Sequence, residues 1–260
     1  GFLVVSLFAS IPELSVATTG VLSGNLGVAI GNLLGSNITD LSLIIGIAAL
    51  MGTIRIGKGA LHKLTFMLFI TSVIPLMLFT LKYTSKLVGL VLVCVFFYYA
   101  YYTIKERVKI RKPTERPPQE RRKYGIYVAK TVILLLAGVA GVVVSSIFIV
   151  DSAAALAVEL GIAQTVIGAS IISVGTTLPE LSIAIVSLRK GHAPLALGET
   201  VGSTLTKISL VLGSVLLISP LDINLKIFET LIVFVLLTNM FLWYFISKGR
   251  LDRNEGIIML

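Results

Sequence analysis

Two acids stand deep inside apolar runs, Glu13 and Glu180, where an isolated charge has no water to hold it. Each follows a proline, Pro12 or Pro179, and hydroxyls precede them at Ser10 in one segment and at Thr176 and Thr177 in the other. A carboxylate within membrane hydrocarbon costs several kcal/mol unless it is paired, so an acid at that depth reads as functional. Proline lacks an N–H and clashes with the carbonyl four residues back, so Pro12 and Pro179 would release the carbonyls of Phe8 and Gly175. A released carbonyl in lipid needs a new partner. Either the chain simply kinks there and neighbouring groups satisfy it, or a bound cation does. Two carboxylates beside such carbonyls and hydroxyls form an all-oxygen set suited to a hard cation such as Ca²⁺ or Na⁺.

A second pattern adds to this set. Gly31 to Ser36 and Gly198 to Ser203 both spell Gly-x-x-x-Gly-Ser, which lets helices approach closely. Asp40 and Lys207 stand four residues beyond Ser36 and Ser203, hence on the same helical face. For Lys207 two readings are open, snorkelling to a surface or an ion pair with Asp40 or a glutamate, and its distance from the end of its apolar run favours the pair. Glu199 either sits near a helix start, where the dipole favours an acid, or accepts a cation or proton on the access side. Ser6, its counterpart Ser173, and Ala9 are weaker candidates. His62 and His192 read as solvated loop residues, Glu229 as interfacial, and Cys94, the single cysteine, as packing.

Elements that could place such groups follow from hydropathy. The 260 residues are 56% hydrophobic and 13% charged, with a mean hydropathy of +0.98, whereas soluble domains carry roughly 25% charged residues. Eight apolar runs, at about 1–22, 28–52, 64–81, 87–104, 126–150, 165–188, 195–218 and 227–247, are each long enough to cross the bilayer, and Ile257 to Leu260 begins another. The chain opens and closes inside apolar segments and so reads as truncated at both ends, with no legible signal peptide.

The net charge of +9 does not point to nucleic acid, because the basic residues gather in alternate loops. Arg55, Lys58 and Lys63, the cluster from Lys105 to Lys123, Arg189 and Lys190, and Lys248, Arg250 and Arg253 mark cytoplasmic loops by the positive-inside rule. The intervening loops hold Lys82, Lys86 and Lys226 beside Asp151, Glu159 and Asp222, and face outside. Residues 105–125, with Pro113, Pro117 and Pro118, form a basic linker between two halves, 1–104 and 126–260.

Those halves are copies. Gly168 to Ser182 overlays Gly1 to Ser15 with Pro-Glu-Leu-Ser in common, an offset of 167 that continues without a gap through Gly24/Gly191, Gly31/Gly198, Gly35/Gly202 and Gly46/Gly213. Five runs separate the two starts, and an odd number reverses direction, so the copies cross the membrane antiparallel. The expected fold is all-α, a multi-span transmembrane helical bundle with an inverted-topology repeat, the arrangement of many secondary transporters.

With Gly-Thr-Ser-x-Pro-Glu-Leu-type and Gly-Asn-x-x-Gly-Ser-Asn-type segments doubled and inverted, the chain resembles the sodium/calcium exchanger superfamily of Ca²⁺:cation antiporters, prokaryotic type. The resemblance implies about ten spans in the full protein, with eight to nine here, the first and most of the tenth being absent. It implies that Glu13 and Glu180 are the central Ca²⁺ ligands, helped by Ser10, Thr176, Thr177, Ser36 and Ser203, with Asp40 and Lys207 at the paired Asn/Asp positions. Ala9 replaces the usual threonine, and Glu199 and Thr204 replace two asparagines. Lys207 places an ammonium where the family has a cation ligand, which points to altered or Na⁺-independent coupling.

The expected function is a secondary antiporter exchanging Ca²⁺ or a similar cation for Na⁺ or H⁺, with no cofactor, in the cell membrane. A cation channel is the alternative. A pump is unsupported for want of a phosphate-binding Gly-x-x-x-x-Gly-Lys motif, and an intramembrane enzyme ranks last because the hydrolase motifs are missing.

Overall fold

A computed structural model describes residues 9–81, 84–108, 118–219 and 228–260. Ser6, Phe8, Lys82, Pro113, Pro117, Asp222 and Lys226 lie outside the described residues. Helix α1 (Ile11–Leu22) is followed by α2 (Leu26–Thr39), which runs through a π-helical turn (Asp40–Ile44) into α3 (Ile45–Met51). A two-residue strand β1 (Ile54–Arg55) leads to α4 (Lys58–Leu81), α5 (Lys86–Val108) and the long α6 (Pro118–Leu160). Then α7 (Gln164–Ile167) passes through a second π turn (Gly168–Ile172) into α8 (Ser173–Arg189), and α9 (Ala193–Thr206) through a third (Lys207–Val211) into α10 (Leu212–Ile218). Helix α11 (Glu229–Ser247), strand β2 (Arg250–Leu251) and α12 (Arg253–Met259) complete the described chain.

Six of these helical stretches are long and apolar enough to cross a membrane, and Ile11–Leu22 and Lys86–Tyr101 are shorter apolar helices. Burial sorts them. The central windows of Leu26–Met51 and Ala193–Ile218 are 72% and 78% buried, against 11% for Ile133–Leu160, so the first two form the core and α6 lies at the rim. Phe66, Phe69, Leu134, Phe148 and Trp243 point outward, an apolar surface that only a lipid solvent accepts.

The offset of 167 recurs in the backbone. The run α2, π turn, α3 and the run α9, π turn, α10 share every boundary at that spacing. Gly24 and Gly191 both adopt left-handed φ, 74° and 75°, where a side chain would be strained, and turn the chain tightly into α2 and α9. The turn bonds repeat as well: Asn25 N–H donates to the Gly20 carbonyl at 2.7 Å and His192 N–H to the Ser187 carbonyl at 2.8 Å. A close approach repeats too, each time between one copy and the other. A Cβ on Gly46 would sit 3.1 Å from the Gly256 carbonyl oxygen, and one on Gly213 would sit 3.0 Å from that of Gly89. Helix α3 thus packs on α12, and α10 on α5.

Several sequence expectations shift. The fifth apolar run was expected at 126–150, but α6 continues to Leu160, so Asp151 and Glu159 are exposed residues of that helix rather than of a loop. Lys58, His62 and Lys63 belong to the first turns of α4, not to a loop. The final helix starts at Arg253, four residues before the expected Ile257, because Asp252 caps it reciprocally with Glu255. Among the described residues the regular structure is helical apart from β1 and β2, which pair antiparallel with Ile54 opposite Leu251 and Arg55 opposite Arg250.

Candidate cation site

Lys207 is fully buried, and its ammonium holds the centre of the polar cluster. It donates to Asp40 Oδ2 at 2.8 Å and to Glu180 Oε2 at 2.9 Å, and it lies 3.3 Å from Glu13 Oε1. The ion pair is therefore formed, and the snorkelling alternative is excluded. Asp40 and Lys207 occupy equivalent places, each opening a π turn. Such a turn holds one extra residue and rotates the following side chains by roughly a third of a turn, a distortion common at functional sites.

Glu180, 3% exposed, accepts a short hydrogen bond from Ser203 Oγ through Oε1. Ser10 Oγ lies 3.3 Å from Ser203 Oγ, within hydrogen-bond distance. Glu13 is fully buried in the first turn of α1, where the helix dipole favours an acid. Neither of its oxygens has a hydrogen-bond donor among the described residues, and the same holds for Asp40 Oδ1. Thr176 Oγ1 reaches across to Asn32 Oδ1 at 3.1 Å, and Thr39 Oγ1 lies 3.5 Å from Ser173 Oγ.

Other expected ligands are buried nearby but hold their hydroxyls against their own helices. Ser36 donates to the Leu33 carbonyl at 3.1 Å and Thr177 to that of Val174 at 3.1 Å, while Ser173 donates to the Ala169 carbonyl at 2.7 Å. Their lone pairs stay available as ligands. Ala9 is buried at the start of the described chain.

Glu199 is not at a helix start. It is the seventh residue of α9, beyond the reach of the dipole, 4% exposed, and its Oε1 has no partner among the described residues. Pro179 lies inside α8 and denies the Gly175 carbonyl its usual donor. Pro12 stands in the first turn of α1, and the Phe8 carbonyl four residues back lies outside the described residues.

Asn32 and Asn37 are site residues that sequence reasoning passed over. Both are fully buried, and Asn32 Nδ2 and Asn37 Oδ1 lack partners among the described residues. Their counterparts at the repeat offset are Glu199 and Thr204, the very positions singled out in the second copy.

The cluster forms a seam. Asp40 with Lys207, Ser10 with Ser203, Asn32 with Thr176 and Thr39 with Ser173 each join the first copy to the second. Among the described residues, no three His, Cys, Asp or Glu side chains converge closely enough to share a metal ion. The Lys207 ammonium stands between the three acids instead. Three carboxyl groups face one ammonium, with bare oxygens able to receive a further cation or a proton.

The family profile described as "Sodium/calcium exchanger protein" matches residues 1–105 and 130–260. Sodium/calcium exchanger MaX1 of Methanosarcina acetivorans is 27% identical, the match covering 100% of this chain and 85% of that protein. Among solved structures, the sodium-calcium exchanger NCX_Mj superposes with a TM-score of 0.69 at 24% identity, covering 99% of this chain and 81% of that one. The H⁺/Ca²⁺ exchanger CAX superposes with a TM-score of 0.74 at 18% identity, covering 100% and 71%. A seam of buried acids between duplicated helices, in a bundle that superposes on two exchangers and matches one profile over both halves, places the chain in the sodium/calcium exchanger protein family, as an integral membrane transporter.

Proposed function

We propose that this protein is a secondary antiporter that exchanges Ca²⁺, or a similar hard divalent cation, for Na⁺ or H⁺ by alternating access. The observation that carries the reading is the buried seam of Glu13, Asp40 and Glu180, contributed by both copies and flanked by Ser10, Ser203, Ser36, Thr176 and Thr177. MaX1 and NCX_Mj are named as sodium/calcium exchangers and CAX as an H⁺/Ca²⁺ exchanger, which supports the same ion classes here.

The halves 1–104 and 126–260 cross the membrane in opposite senses, joined on the cytoplasmic side of the cell membrane by the basic stretch 105–125, of which 105–108 continue α5 and 118–125 begin α6. Rocking of one half against the other would open the seam to each face in turn. Occlusion of the acids favours a carrier over a channel, whose ligands line a wetted path.

The test is ⁴⁵Ca²⁺ uptake into proteoliposomes with Na⁺ or H⁺ gradients imposed in either direction. Uptake that requires a counter-ion on the opposite side supports exchange. Uptake that runs down the Ca²⁺ gradient alone, at the same rate, supports the channel.

A further inference from the structure

Lys207 brings a positive charge into the seam that no transported ion has to supply. Its ammonium touches all three acids, and its stem is fully enclosed, so the charge has no route out. Its N–H donors serve Asp40 and Glu180, and Glu13 is reached through charge at 3.3 Å. Two of the acids have capacity beyond this contact: Asp40 Oδ1 is bare, and Glu13 has no hydrogen-bond donor on either oxygen among the described residues. Those oxygens beside the ammonium are the place for a second cation. Glu199 forms no ion pair with Lys207, and its Oε1 has no partner among the described residues.

We propose that Lys207 is a resident third cation, so that the seam exchanges one divalent cation for two monovalent charges and carries no net charge across the membrane. The statement rests on the antiporter reading above. Fully ionised, the three acids carry three negative charges and the ammonium cancels one. One divalent ion neutralises the remainder, and so do two monovalent ions. Without the ammonium the same acids need a third monovalent ion on the return step, and each cycle moves a charge. Hydrocarbon penalises the passage of unbalanced charge, which makes the neutral pair of loaded states the ones that cross. The flexible four-carbon stem lets the ammonium lean from one carboxylate toward another as the divalent ion takes the bare oxygens, without leaving the seam.

The experiment measures Ca²⁺ accumulation at steady state in proteoliposomes under a fixed Na⁺ or H⁺ gradient, with the potential clamped by K⁺ and valinomycin. In the parent protein a change of about 59 mV should alter accumulation less than about 1.5-fold, because one net charge per cycle would shift it about tenfold. Lys207→Gln should show the tenfold shift, and Lys207→Arg should behave as the parent. A tenfold shift in the parent overturns the proposal while leaving exchange intact. Absence of counter-ion-dependent uptake in both proteins sinks the antiporter reading instead. The inference is then decided by binding to the purified protein in detergent, scored as Na⁺ plus H⁺ displaced per ⁴⁵Ca²⁺ bound. Two displaced from the parent and three from Lys207→Gln support it, and equal numbers overturn it.

Discussion

Lys207 and Asp40 hold the same position in the two copies of the repeat, and in the folded chain they are hydrogen-bonded to each other at 2.8 Å. A duplicated position that carries opposite charges becomes its own ion pair across the seam. With 167 residues between them, the contact ties the copies together at mid-span.

That pair gives a thermodynamic expectation. Asp40→Asn strips the ammonium of a buried partner and should lower stability by about 2–4 kcal/mol. Asp40→Asn combined with Lys207→Gln should cost less than the sum of the two single changes, with a coupling of about 1–3 kcal/mol. Thermal unfolding in detergent, followed through the four members of the cycle, measures it. Additive effects would show that the pair contributes nothing to stability.

Glu13→Gln and Glu180→Gln should each lower the initial rate of Ca²⁺ uptake roughly 30- to 150-fold, the loss of a charge-assisted ligand worth about 2–3 kcal/mol. Membrane insertion should be unaffected, which a fluorescent fusion checks. Parental rates in both variants would remove these acids from the transport site.

Orientation has its own readout. Ser23 and Lys190 are equivalent exposed residues in the turns before α2 and α9. In a Cys94→Ser background, cysteine at Ser23 should label only from outside and cysteine at Lys190 only from the cytoplasmic face, using a membrane-impermeant maleimide. Labelling of both from one side would contradict antiparallel copies.

Packing supplies the fourth expectation. Gly46→Val would press methyl groups into the α12 backbone and Leu260, and should destabilise the bundle by about 1–3 kcal/mol. Gly141→Ala in α6, where a Cβ meets no described residue within 4 Å, should be neutral or raise stability by about 0.5–1 kcal/mol. Melting temperatures in the same detergent rank the two. A Gly46→Val protein as stable as the parent would show that the glycine contact is slack.

Much of this arrangement was legible in the chain because the duplication doubles every signal. Pro-Glu-Leu-Ser occurs twice in apolar surroundings, which marks Glu13 and Glu180, and the serine-to-Asp40 and serine-to-Lys207 spacings put the remaining charges on the same faces. The π turns were not legible. One extra residue accommodated within five leaves no periodic trace, and it is tolerated because the surrounding helices hold it. The length of α6 was missed because Asp151 and Glu159 look like loop residues, yet an exposed helix end can keep them wet. Asn32 escaped because a buried amide in a glycine-rich stretch looks like packing until Thr176 is seen donating to it.

The glycine contact between α3 and α12 bears on biosynthesis. Gly46 meets a partner 210 residues later, Gly256, and Ile54 pairs with Leu251 nearby. Translation delivers α3 long before either partner exists, so the first copy waits in the bilayer with its glycine face and strand edge open. Assembly of that copy completes only as the last described helix leaves the ribosome, which sets a delay of at least ten seconds at ordinary elongation rates of about 5–20 residues per second. During that interval the unfinished half offers a site for a membrane chaperone or for mispairing with a second nascent chain.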